Sequence, residues 1–157
     1  MNHRVAALAR RISTSKEAFE NRDDTLLEAH EVIAYARMTG FTPFIEWIEL
    51  SQVSDEDAFT LRDALIDYIA RFPDHDSRVS AYWGLSALHD KKELNNFRRF
   101  LEVESTKEIV DENVLWQIMI ALDNLEEDIL DGFDADLNSS GKVWAASRHY
   151  LARHSQN

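Results

Sequence analysis

Apolar residues recur along this chain at intervals of three and four, and short polar groups suited to starting or stopping helices interrupt them. Thr25-Leu26-Leu27-Glu28 reads as a capping box, in which the Thr hydroxyl accepts from the N3 amide while the Glu reaches back to the cap amide. A helix is predicted from there to Met38, with Gly40 as its left-handed C′ residue. Thr42-Pro43 supplies an N-cap and a proline at the first helical position, predicting a helix to about Leu50. Ser54-Asp55-Glu56-Asp57 places a cap and three anions at the positive end of the next helix. Its residues Ala58, Leu61, Leu65, Tyr68, Ile69 and Phe72 keep helical spacing until Pro73 stops it. Asp76 is read as the cap of a helix to Leu88, and Asp90-Lys91-Lys92-Glu93 as a capping box for a helix through Leu94, Phe97, Phe100 and Leu101. Asp111 caps a further helix, a short one is predicted near Glu126, and Ser139 or Ser140 opens the last. That last helix carries Val143, Trp144, Ser147, Tyr150 and Leu151 on one side. No strand pair is predicted.

One stretch breaks the amphipathic pattern. Residues 114–122, VLWQIMIAL, include a single polar residue, Gln117, yet fall well short of the ~20 apolar residues that a bilayer crossing requires. The predicted helix starts explain it. One series begins near residues 42, 76 and 111 and a second near 55, 91 and 126, so both repeat at about 35 residues, a helix-pair period. At that shift Asp76 matches Asp111, Val79 matches Val114, Trp83 matches Ile118 and Leu94 matches Ile129. In a stack of helix pairs an inner helix touches its own partner and both neighbouring pairs, and so has almost no wet face. VLWQIMIAL is predicted to be such a helix, as is VSAYWGLSAL over residues 79–88, where Ser80 and Gly84 permit close approach. Over about residues 4 to 132 this arrangement resembles the HEAT and HEAT-like family of α-helical repeats. The resemblance implies one all-α domain spanning 1–157, a degenerate HEAT-like α-solenoid of about four helix pairs (4–39, 42–72, 76–103 and 111–132) with a C-terminal capping helix over about 140–154.

Composition narrows the functional classes. A chain of 157 residues with 45% hydrophobic residues is one ordinary domain with ample core material. The absence of cysteine excludes disulfides, thiolate nucleophiles and Cys-based metal sites. The amino terminus lacks a signal-peptide core and is expected to be an outer helix, which points to a cytoplasmic protein. Residues 1–22 hold five Lys/Arg against two Glu, a net of +3, so the remainder carries −15 of the total −12. A body that acidic repels phosphate backbones and suits basic partners. No nucleic-acid or membrane partner is expected.

Fragments of catalytic motifs fail on their own chemistry. His30-Glu31-Val32-Ile33-Ala34 is the first half of a zinc-protease HExxH, but Ala34 cannot ligate a metal, leaving His30 as a surface residue of its helix. Asp134-Ala135-Asp136-Leu137-Asn138 begins like a calcium loop, yet Ser139 and Ala145 stand where Gly and a bidentate Glu are needed. There is no nucleophile elbow and no Gly-rich phosphate loop. No catalytic residue, metal or cofactor is therefore predicted.

Two features suggest binding instead. Asp123, Glu126, Glu127, Asp128, Asp131, Asp134 and Asp136 follow one another without a Lys or Arg between them, and Phe133 lies in their midst. Glu46 and Glu49 flank Trp47, a residue type favoured as an interface anchor. These eleven positions are the candidate partner-binding residues. Small, acidic, cysteine-free helical chains of this kind resemble the immunity proteins of bacterial contact-dependent growth inhibition and polymorphic toxin systems. The resemblance implies neutralisation of a basic cognate toxin, a nuclease domain for instance. A HEAT-like scaffold or adaptor is the first alternative. A HEAT-like DNA glycosylase is the second, disfavoured because Lys91, Lys92, Arg98 and Arg99 form only one local basic patch.

Overall fold

Several helices in this protein begin where a side chain accepts from the amides that a first turn leaves unbonded. The computed structural model describes residues 2–14, 22–132 and 141–155. Among these, eight α-helices and no strand are found: α1 (His3–Thr14), α2 (Arg22–Arg37), α3 (Glu46–Leu50), α4 (Asp55–Arg71), α5 (His75–Leu85), α6 (Leu94–Ser105), α7 (Glu112–Asn124) and α8 (Lys142–His154). The all-α prediction holds. None of these helices is long and apolar enough to cross a membrane.

Several predicted caps are present in full. Ser54 and Asp57 form a reciprocal capping box at the start of α4, and Phe72 ends that helix just before Pro73. Asp111 accepts from the amides of Asn113 and Val114. Elsewhere the tertiary structure moves the boundary. Thr25 does not cap α2 but lies buried inside it, because the helix starts upstream at Arg22. Asp74, not Asp76, caps α5: its own backbone is extended, which puts it at the cap position just after Pro73, and its side chain accepts from the Ser77 amide. Asp90 accepts from Lys92 and opens a 3-10 turn over Lys91–Glu93, so α6 starts only at Leu94. Thr42-Pro43 precedes α3 without capping it, the cap position being Ile45. The predicted ends at Ser139 or Ser140, and the part of the first helix beyond Thr14, lie outside the described residues.

The predicted helix near Glu126 is absent. α7 ends in a Schellman closure, in which the Glu127 amide donates to the Leu122 carbonyl and the Glu126 amide to that of Asp123. Glu126 occupies the left-handed position with φ +65° that glycine normally takes. Asp131 and Gly132 also have positive φ, so the backbone keeps turning where a helix would have to propagate. The pair predicted over 111–132 thus has only its first helix.

The helices belong to two compact units, Met1–His89 and Asp90–Asn157, with α5 in the first and α6 in the second. In the first, α2 packs on α1, α3, α4 and α5, and α4 packs on α1 and α5. Leu8, Ile12, Ile33, Leu61, Leu65 and Leu85 are almost wholly buried there. Gly84 has the role predicted for it: a Cβ at that position would stand 3.2 Å from a methyl group of Leu65 on α4. In the second unit α6, α7 and α8 pack on one another. Ile118 and Met119 are fully buried, as expected of a helix with almost no wet side, and Phe97, Leu101 and Tyr150 join them. Within VLWQIMIAL, Gln117 and Ile120 are half-buried and Trp116 is left 37% exposed.

Candidate protein-binding surfaces

The described part of the acidic run is built around two buried apolar residues. Leu125 and Ile129 are buried and pin the turn after α7 to the second unit, which leaves Asp123, Glu126, Asp128 and Asp131 exposed. The sequence places no cation among these acids, but the fold supplies several from elsewhere. Arg98 reaches Glu127 at 2.6 Å, Lys91 stands 3.7 Å from Glu126, and Asp131 is paired with His149 at 3.1 Å and Arg153 at 3.3 Å. Residues distant in sequence thus pair with three of the five described acids. Arg98, read as part of a surface basic patch, is instead committed to this contact.

Glu127 is held by two donors from within the second unit. The Tyr150 hydroxyl donates to its Oε1 at 2.7 Å, Arg98 donates to the same oxygen, and Arg98 Nε donates to the Tyr150 oxygen at 2.9 Å. Burial alone would raise the Glu127 carboxyl, but these two donors outweigh it and hold the group below its ordinary range. Burial, with the anionic Glu127 alongside, pushes the Tyr150 phenol up to about 12. His154 accepts from Arg98 at 3.2 Å and packs on the Tyr150 ring; burial first, and then the Arg98 charge, lower its pKa.

Two acids remain available. Asp123 has no ion pair among the described residues, and Asp128 uses one oxygen to accept from the Asp131 amide at 3.0 Å while staying exposed. They stand with Trp116, Glu127, Ile129 and Leu130 around an open depression of about 340 Å³. A guanidinium or ammonium group entering it would meet carboxylates together with a partly exposed indole, groups that both attract a cation. Trp116 was not among the predicted site residues. Its helical spacing marked it only as part of an apolar helix, although the seven-residue interval to Asp123, two helical turns, does place both on one face.

The other predicted residues are placed separately. Glu46, Trp47 and Glu49 belong to the first unit. Both carboxylates are exposed, whereas Trp47 is half-buried with the Arg4 guanidinium 5.6 Å from its ring centre. Phe133, Asp134 and Asp136 lie outside the described residues, as does the rest of the calcium-loop-like segment that begins at Asp134.

The HExxH fragment has a structural use. His30 is not a surface residue: its ring stacks on Trp83 with centroids 3.8 Å apart, and Nδ1 lies 3.2 Å from the Trp83 carbonyl. Glu31 is buried and accepts from two backbone amides, those of Phe44 and Ile45. No group of three or more His, Asp or Glu side chains arranged to hold a metal occurs among the described residues. No family model, curated protein or solved structure matches this chain.

Proposed function

We propose that this protein is a non-catalytic binding module whose acidic surface occupies a basic partner protein. The carrying observation is the depression beside α7, where exposed Trp116 stands with Asp123 and Asp128 while the neighbouring acids are already paired. An indole beside unpaired carboxylates accepts a cationic side chain better than either group alone, because ring and carboxylate both attract the same charge. The net charge of −12 adds long-range steering of a basic partner. In this reading the chain acts as a cytoplasmic immunity protein, a degenerate HEAT-like scaffold that blocks a cognate toxin of the nuclease type. The dryness of α5 and α7 supports the scaffold part of the proposal.

Calorimetric titration with a cationic nuclease domain, run at ~50 and ~300 mM salt, tests it. The wild-type chain is expected to bind and to weaken with salt. The double variant Asp123→Lys/Asp128→Lys should lose at least about tenfold in affinity, or about 1.4 kcal/mol. Binding that ignores both salt and charge reversal would remove the proposal.

A further inference from the structure

The link between α2 and α4 is fastened at three points and yet displays two of its large apolar side chains, Phe44 and Leu50, to water. Three fastenings fix it. The Glu31 carboxylate on α2 accepts from the Phe44 and Ile45 amides, each at 2.9 Å. The Asn2 side-chain amide donates to the Ser51 carbonyl at 2.9 Å. Between them Ile48, from the middle of α3, is fully buried. Removing a carboxylate from water is costly unless donors replace the lost solvation, and here both oxygens are engaged by backbone of this one segment. The outcome is nevertheless a Phe44 that is 95% exposed and a Leu50 that is 76% exposed. A loop serving as a plug would bury such side chains, whereas a preorganised contact presents them without an ordering cost on binding.

Charge selects the occupant. Glu46 and Glu49 lie between the two apolar side chains in sequence, are exposed, and have no ion pair among the described residues. We infer that the Phe44–Leu50 tip is an apolar anchor for a protein partner whose apolar surface patch is bordered by Lys or Arg. A second copy of this chain would set like carboxylates against each other under a net charge of −12, and an anionic membrane would repel the same groups. The inference rests on the binding-module reading and deepens it, but it uses a surface of the first unit and none of the residues around the Trp116 depression.

The experiment follows amide shifts of the isotope-labelled full chain during titration with an amphipathic Leu/Lys helical peptide. A matched Leu/Glu helix and a Lys/Gly peptide without an apolar face serve as controls. The Leu/Lys peptide should shift residues 44–50, and Phe44→Ala/Leu50→Ser should weaken it by about tenfold while leaving the unfolding midpoint unchanged. Glu46→Lys/Glu49→Lys should weaken it as well, and the Lys/Gly peptide should be insensitive to Phe44→Ala/Leu50→Ser. Equal binding of the Leu/Glu helix would overturn the inference. So would a dimer, seen by sedimentation, that Phe44→Ala dissolves, or Phe44-dependent partition onto phosphatidylglycerol vesicles. If both cationic peptides bind but Phe44 and Leu50 make no difference, the tip assignment alone fails; if neither binds, the binding-module reading fails with it.

Discussion

Glu31 shows how much of a residue's role is set by its surroundings. In sequence it is the acid of a broken zinc motif, and nothing local indicates that its two oxygens engage amides thirteen and fourteen positions on. His30 is similar: read as exposed, it is stacked on Trp83 from another helix. Its pKa is lowered by burial, which outweighs the opposing bond to the Trp83 carbonyl. His89 is lowered by burial and by Arg37, and His154 by burial and by Arg98. In the unfolded chain each titrates near ~6.5. Below that pH the unfolded state therefore binds more protons than the folded state, so stability is fully present above ~6.5 and declines as pH falls through the lowered folded values. Denaturant midpoints measured at ~7.5 and ~5.5 should show the fall, and His30→Gln should make it shallower. An unchanged difference between the two pH values in His30→Gln would show that His30 carries none of it.

At the scale of elements, some caps made by neighbouring residues were legible, others were displaced by the fold, and an end made by a left-handed residue was not legible at all. The Ser54 box, the Asp111 cap and the stop at Pro73 all depend on groups within four residues of the helix end, so the sequence displays them. The false helix near Glu126 had the right composition, with Leu125 and Ile129 one turn apart among acids. What excluded it is a left-handed glutamate, a conformation costing a non-glycine residue about 1 kcal/mol, which no local pattern announces. Glu126→Gly should consequently raise stability by about 0.5–1 kcal/mol. Its exposed contact with Lys91 offsets little of that gain. A denaturant melt in which Glu126→Gly is less stable than wild type would show that the turn is not held in this way.

For the whole molecule, two cores predict two levels of protection. Amide exchange should be slowest in α2 and α4 of the first unit and in α7 of the second, with a separate opening free energy for each set; one shared value would show that the units unfold together. The candidate surface also exists only at this scale. Arg98 and Glu127 are 29 positions apart, and Asp131 meets His149 after 18, so an acidic run that reads as uniform becomes a mixture of paired and unpaired carboxylates. The sequence by itself determined the all-helical character, the largely dry character of residues 114–122 and the excess of negative charge, because helical periodicity and net charge are local or additive. Tertiary structure alone decided which acids stay unpaired among the described residues, that Trp116 stands beside them, and that Phe44 is held out in water. Each of those outcomes depends on groups far apart in the chain meeting within a few ångströms, and spacing along one strand of sequence carries no record of such meetings.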